Sequence, residues 1–162
     1  MIGADTKILM VNGILKCAKD ICIGDWVVRK DGVIEKITDI FKGIDDILEI
    51  ITQTGERLWC NQNHPILTEC GIKRAKDIND SIRILCADGS LTKVEMIFHI
   101  EKDLVYGFTY QGDDNTIITN GLCTGNMFLE NSIYESNSVL SEEKLSFIDE
   151  MRSYLKNPFS DI

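Results

Sequence analysis

The sequence is poor in histidine and has no paired cysteine motif. Only two histidines, His64 and His99, occur among its 162 residues, so any reaction that needs an imidazole near neutral pH must use one of them. None of the six cysteines forms a C-x-x-C pair, and their spacing fits neither a paired zinc site nor a small disulfide scaffold. We therefore expect reduced thiols and a cytoplasmic location.

The chain also lacks long apolar runs and an excess of positive charge. No run approaches the roughly 20 apolar residues that span a bilayer, and the start lacks the basic segment of a secretory signal. Lys and Arg total 17 against 26 Asp and Glu, a net charge of -9. Because such a chain repels phosphate backbones, we expect no nucleic acid as partner. Because no apolar run is long enough to span a bilayer, we expect no membrane association. The 44% apolar content suffices for one ordinary folded domain.

Asn-Gly and Asp-Gly pairs recur between short apolar segments that are rich in β-branched residues. These pairs tolerate the positive φ angles of two-residue hairpin turns. No amphipathic pattern longer than one helical turn occurs before residue 126, so the sequence predicts an all-β body. We predict strands over 7–11, 14–16, 26–30, 33–40, 47–52, 56–60, 82–86, 91–100, 105–110 and 116–119.

Two stretches of the sequence match each other at an offset of 57 residues. Residues 16–21 (KCAKDI) align with residues 73–78 (KRAKDI), and nine of 27 positions between 14–40 and 71–97 are identical. Two similar β units in one small domain predict a pseudo-two-fold β fold in which long curled strands cross both halves.

From Met127 onward the hairpin pattern stops. Ser141 is typical of a helix N-cap, and an apolar stripe follows it, so we predict a C-terminal α-helix over about 142–156. We predict a polar linker over 130–137. We therefore divide the chain into a domain over 1–126 and a C-terminal flanking segment over 127–162. The helix predicted in the flanking segment is a candidate surface for docking a protein partner.

Three further segments contain the candidate catalytic residues. They are residues 1–6 (MIGADT), residues 55–68 (GERLWCNQNHPILT), and residues 105–108 (VYGF) followed by 115–126 (NTIITNGLCTGN). Together with the AKDI and GDWVV motifs, they resemble the Hint domains shared by hedgehog C-terminal domains, inteins and bacterial intein-like domains. The resemblance covers residues 1–126, and the order of the blocks and the internal duplication both agree with it.

The resemblance implies single-turnover self-processing of the chain's own flanking peptide bonds, without a cofactor. A Cys or Ser at the position of Met1 attacks the preceding carbonyl and moves the acyl group from nitrogen to sulfur or oxygen. His64 protonates the leaving nitrogen, and Asn61, where relatives usually have Thr, hydrogen-bonds the same group. Asn126 then attacks its own carbonyl and cleaves the chain by cyclisation.

The sequence departs from this pattern in ways that exclude full splicing. The thioether of Met1 cannot attack a carbonyl, so the first step requires a different residue there. Gly125 replaces the histidine that normally assists Asn126, and Met127 offers no acceptor nucleophile. Asn115 and Gly107 replace a histidine and an aspartate that are often found in relatives. We expect cleavage after Asn126 to be slow or absent.

Other interpretations of the same residues stay open. The chain is alternatively an inactive Hint-fold module that binds a partner through the 142–156 helix. Cys60 and His64 have the spacing of two metal ligands, although two ligands do not make a site. His64, Asn61 and Asn126 are alternatively ordinary turn residues, and we interpret His99 as structural.

Overall fold

Twelve β-strands make up most of the computed structural model, which describes residues 1–136. Between them lie three one-turn 3₁₀ helices, Val11–Gly13, Ala18–Asp20 and Ala75–Asp77. One α-helix follows the last strand. The elements are β1 (Ile2–Gly3), β2 (Lys7–Leu9), β3 (Leu15–Cys17), β4 (Trp26–Val28), β5 (Ile34–Thr52), β6 (Arg57–Asn61), β7 (Pro65–Thr68), β8 (Gly71–Arg74), β9 (Arg83–Leu85), β10 (Leu91–Tyr110), β11 (Thr116–Thr119), β12 (Leu122–Gly125) and α1 (Met127–Ser136).

Two very long antiparallel strands, β5 and β10, run through the centre of the fold. β5 has 19 residues and β10 has 20, and they pair with each other along most of their length, with three register irregularities. Their ends separate to join different neighbours: β5 pairs with β4 and β6, and β10 pairs with β9 and β1. The sequence predicted each long strand as two shorter ones, which was wrong because pairing between β5 and β10 continues through their charged middle segments.

The duplication in the sequence is also present in the backbone. β4 pairs with β5 through Trp26 and Lys36, and β9 pairs with β10 through Arg83 and Lys93, both at the predicted offset of 57. The predicted all-β, pseudo-two-fold architecture with long curled strands is therefore confirmed.

The repeated Ala-Lys-Asp turns anchor corresponding loops in the two halves. The amide of Ala18 donates to the carbonyl of Thr6 at 2.9 Å, and the amide of Ala75 donates to the carbonyl of His64 at 2.9 Å. Both alanines are 1% exposed, which fixes each turn in the core. The second copy of the repeat thus fixes the backbone of His64.

Asn120-Gly121 closes its hairpin as the expected two-residue turn between Thr119 and Leu122, whereas the first hairpin pairs Leu9 with Leu15 across a longer loop that contains the 3₁₀ turn Val11–Gly13. Asn12 and Gly13 have φ angles of 64° and 76°, and Asn120 and Gly121 have 48° and 84°. Positive φ at both central residues of the Asn120-Gly121 turn matches the twist of the flanking strands. The sequence signal therefore located both turns, but the first loop is longer than the predicted two residues.

A single hydrophobic core contains residues from both repeats. Val27 and Ile84, which correspond across the duplication, are both fully buried, and burying side chains of this kind stabilises a fold by about 1.5–3 kcal/mol each. The large apolar side chains that are almost fully buried include Ile2, Ile8, Val27, Ile37, Ile50, Leu58, Ile66, Ile84, Phe108, Tyr110, Ile117 and Leu122.

Helix α1 begins directly after the last strand and packs against β7, β10 and β12. The prediction of a linker over 130–137 was therefore wrong for residues 130–136, because these residues belong to helix α1. The helix predicted over 142–156 lies outside the described residues. No helix in residues 1–136 is long and apolar enough to cross a membrane.

Candidate functional site

The backbone of residue 1 is held in the centre of the sheet. Ile2 pairs with Tyr106 on β10 and with Cys60 on β6. The amide of Asn61 donates to the carbonyl of Met1 at 2.9 Å. Because strands flank the residue on both sides, the position of its nitrogen is fixed by the body of the fold.

Three side chains converge on the nitrogen of Met1. Oδ1 of Asn61 accepts a hydrogen bond from it at 2.9 Å, and Nδ1 of His64 lies 3.4 Å away. Oε1 of Glu130, on helix α1, also contacts this nitrogen. The same oxygen lies 3.7 Å from Nδ1 of His64. An amide, an imidazole and a carboxylate therefore meet at one backbone nitrogen.

The turn between β6 and β7 explains why Asn61 and His64 face the same point. β6 ends at Asn61 and β7 begins at Pro65, and the amide of His64 donates to the carbonyl of Asn61 at 3.3 Å. Nδ2 of Asn61 donates to the carboxylate of Asp45 at 3.4 Å. This bond orients the amide so that its oxygen faces residue 1.

The site is almost completely shielded from solvent. His64 is 2% exposed, and Asn61 and Glu130 are each 6% exposed. Desolvation lowers the pKa of His64 well below its usual range. Desolvation also lowers the pKa of the amino group of Met1 to about 5, against the opposing influence of Cys60 and Asp45. A neutral imidazole is therefore the resting form near pH 7.

Nε2 of His64 has no hydrogen-bond partner among the described residues. A buried polar atom without a partner costs about 1–3 kcal/mol. The ring is thus held in an environment that satisfies only Nδ1, the nitrogen that faces residue 1. Such unsatisfied groups are uncommon in native proteins and often mark functional positions.

Asn126 lies beside the same site. Together with Met1 and His64 it lines a small cavity, whose wall also includes Gly107 and Gly125. The structure therefore brings together all four residues that the sequence singled out, Met1, Asn61, His64 and Asn126.

Every polar group of Asn126 has a partner. Its amide donates to the carbonyl of Asn115 at 2.9 Å, and its Nδ2 donates to Oδ1 of Asn115 at 3.1 Å. Its Oδ1 accepts from the amide of Leu129 at 3.2 Å, and its carbonyl accepts from the amide of Glu130 at 3.0 Å. Asn126 is thus the N-cap of helix α1.

Two glycines provide the space in which helix α1 sits. A Cβ atom on Gly107 would overlap the side chain of Met127. A Cβ atom on Gly125 would lie 2.6 Å from Cγ of Pro65 and 3.0 Å from Cβ of Leu129, closer than nonbonded carbons approach. The two positions that depart from the Hint pattern by being glycine are therefore the two that the helix covers.

Sequence reasoning missed Glu130, which it placed in a linker. The available signal was weak: an asparagine followed four residues later by a glutamate in a segment with few helix-breaking residues. Helix α1 contains several residues with modest helix propensity, so packing and the Asn126 cap contribute to its formation.

The remaining candidates lie away from the nitrogen of Met1 or point into the core. The side chain of Cys60 is fully buried in the hydrophobic core, and desolvation raises its pKa to about 12. No group of three metal-ligating side chains occurs within residues 1–136. His99 is exposed on β10, where it pairs with Leu48. Neither histidine is therefore part of a metal cluster in the described part of the chain.

Comparison with solved structures identifies the same architecture in several inteins. The gp41-1 intein is 18% identical, with a TM-score of 0.71 over 77% of this chain and 97% of the intein. A DnaB intein from Synechocystis sp. is 20% identical, with a TM-score of 0.69 over 77% of this chain and 96% of the intein. The MchDnaB-1 intein is 17% identical, with a TM-score of 0.67 over 78% and 100%.

No family model and no curated protein sequence matches the chain. The structural likeness nonetheless establishes the fold, which is the intein-like Hint fold that the sequence motifs predicted. The short helix after the β body is an addition to the part that the sequence motifs cover.

Proposed function

We propose that the chain is an intein-like self-processing domain that acts on the peptide bond preceding residue 1. The observation that carries this proposal is the convergence of Asn61 and His64 on the nitrogen of Met1, at 2.9 Å and 3.4 Å. In a precursor with a preceding segment, that nitrogen belongs to the scissile amide. The substrate is accordingly the chain's own flanking polypeptide.

The arrangement suits an acyl shift from nitrogen to a side chain at position 1. An amide is a poor electrophile, so its cleavage needs a positioned nucleophile and a proton for the leaving nitrogen. In this proposal His64 supplies that proton, and Asn61 holds the nitrogen in position. Because the nucleophile and the substrate share one chain, the reaction benefits from a high effective molarity.

With Met at position 1, the acyl shift cannot take place in the present sequence. A thioether carries no ionisable proton and cannot form the thioester or ester intermediate. The chain then has the scaffold and an imidazole at the leaving nitrogen, but no nucleophile. Replacing Met1 by Cys supplies the missing group.

The second step of splicing is not part of the proposed activity. Cyclisation requires Nδ2 of Asn126 to attack the carbonyl carbon of the same residue. In the structure this amide is bonded to Asn115, and the carbonyl oxygen is the first acceptor of helix α1. With Gly125 beside it and Met127 after it, we expect the bond after Asn126 to stay intact.

The test uses Met1→Cys preceded by a short N-terminal extension. We expect dithiothreitol to release the extension by attack on the thioester, which mass spectrometry identifies as a dithiothreitol adduct or its hydrolysed acid. The matched controls are the same extended chain with Met1→Ala, which lacks a nucleophile, and the Met1→Cys chain with His64→Ala. An intact, folded Met1→Cys chain after days with dithiothreitol would contradict the proposal.

The second candidate function is an inactive Hint-fold binding module. The observation that favours it is the filling of the site by helix α1, which occupies the space over Gly107 and Gly125. An uncleaved Met1→Cys chain, together with a protein partner that is lost on deletion of 142–156, would favour this alternative.

A further inference from the structure

Helix α1 brings a carboxylate into the centre of the site, and none of the steps above uses it. Oε1 of Glu130 contacts the nitrogen of Met1 and lies 3.7 Å from Nδ1 of His64. A carboxylate is rarely buried unless a partner offsets the loss of hydration. Its two neighbours here are the free amino group of Met1, which is the form of the leaving nitrogen after cleavage, and the imidazole of His64.

The backbone of helix α1 fixes this carboxylate in position. The amide of Glu130 donates to the carbonyl of Asn126 at 3.0 Å, and the side chain of Asn126 caps the same helical turn. The glycines at 107 and 125 allow the turn to approach the sheet closely. A rigid element therefore positions the carboxylate, as accurate catalytic geometry requires.

We propose that Glu130 is a further catalytic residue for cleavage of the bond preceding residue 1, acting on the leaving nitrogen together with His64. This inference rests on the proposed function. The negative charge of Glu130 stabilises the imidazolium form of His64, which burial otherwise disfavours, and favours a proton on Nδ1 rather than on Nε2. The proton is thereby kept on the ring nitrogen that faces the scissile amide.

The reaction step balances as follows in the Met1→Cys chain. His64 is neutral at rest with its hydrogen on Nδ1, and it becomes the imidazolium when Nε2 takes up the proton that the new thiol releases. The sulfur attacks the preceding carbonyl carbon to form a C–S bond. The C–N bond to residue 1 breaks, and the nitrogen takes the Nδ1 proton of the imidazolium. His64 returns to its neutral form with a hydrogen on Nε2, and the products are a thioester and an amine.

The first experiment compares cleavage rates in the extended Met1→Cys chain with and without Glu130→Gln. The glutamine keeps the size of the side chain but removes its charge. We expect the rate of thiol-dependent cleavage to fall about tenfold or more, in keeping with the contribution of groups that assist proton transfer. Glu130→Asp, which retains the charge, should recover part of the rate. Asn131→Ala, at an exposed position of the same helix, is the matched control and should retain it.

The second experiment needs no cleavage. In the extended chain with Met1 retained, ¹⁵N NMR of the imidazoles reports which ring nitrogen of His64 carries hydrogen. His99 is the only other histidine and is assigned by His99→Gln. The groups facing His64 are Glu130 from α1 and the nitrogen of residue 1, with Asp45 and Cys60 acting on that nitrogen. We expect hydrogen on Nδ1 in the parent and a shift toward Nε2 in Glu130→Gln.

The outcomes separate this inference from the proposed function. If the Met1→Cys parent does not cleave, the proposed function fails, and the NMR comparison still decides whether Glu130 controls the proton of His64. If the parent cleaves but Glu130→Gln has the same rate and the same ¹⁵N shifts, Glu130 is only structural and the inference is overturned. Equal loss of rate in Asn131→Ala would also overturn it.

Discussion

Gly125→Ala tests whether close packing of helix α1 on the sheet is essential to the site. The added Cβ would lie 2.6 Å from Cγ of Pro65 and 3.0 Å from Cβ of Leu129. The Pro65 ring is fixed in β7, so the helix must move instead. Overpacking of this kind costs about 1–3 kcal/mol. The loss of stability in Gly125→Ala cannot exceed the free energy that docking of α1 contributes, because the helix can separate from the sheet and so relieve the overlap.

Gly43→Ala is the matched control for this substitution. Gly43 is also a strand glycine without positive φ, and a Cβ there would lie 3.8 Å from Cγ2 of Val105, an ordinary contact. Replacing glycine by alanine at a compatible site stabilises a protein by about 0.4–1 kcal/mol through the unfolded state. Because both variants share this gain, the difference between them isolates the overpacking at Gly125.

Urea denaturation followed by tryptophan fluorescence measures the two free energies of unfolding. Amide hydrogen exchange at Leu129 and Glu130 then reports whether the helix remains docked, since both amides donate to Asn126. We expect Gly125→Ala to be less stable than Gly43→Ala and to lose protection at these amides. Equal stability with unchanged protection would refute the close-packed helix described above.

Two further predictions concern groups around the site. Asn126→Ala should lower the free energy of unfolding by about 2–4 kcal/mol, because it removes a helix cap worth about 1 kcal/mol and leaves the buried Oδ1 of Asn115 without its donor. Urea titrations measure this free energy, and an unchanged stability would contradict the prediction. Iodoacetamide at pH 8 should alkylate the exposed Cys22 and Cys70 but not Cys60, because burial and a pKa of about 12 keep the Cys60 thiol protonated. Peptide mapping identifies the labelled cysteines, and rapid labelling of Cys60 in the native protein would contradict the prediction.

Much of the β body could be predicted from the sequence, because its signals are local. Asn12 and Asn120 stand in turns whose backbone requires positive φ, and the duplicated Ala-Lys-Asp motif forms the same turn twice. The structure also places Asn61 and His64 at the nitrogen of residue 1, while their catalytic roles stay a prediction. The long strands were divided because charged residues in their middle segments do not show which partner they pair with.

Helix α1 and Glu130 could not be predicted for a different physical reason. The segment MFLENSIYES has neither strong helix formers throughout nor a clear apolar stripe, and its helical form depends on contacts that are distant in sequence. Gly107 and Gly125 look like losses of function when they are compared with the Hint pattern. Only the structure shows that they make room for a helix carrying a carboxylate.

The pseudo-symmetry of the fold means that each half contains a turn that can serve as a control for the corresponding turn in the other half. The amide of Ala18 donates to the carbonyl of Thr6, and the amide of its copy, Ala75, donates to the carbonyl of His64. Because both alanines are buried to the same degree, we expect equivalent substitutions to disturb both turns, but only the one at Ala75 to move the imidazole of His64. Subtracting one effect from the other separates what this architecture needs in order to fold from what it needs in order to react.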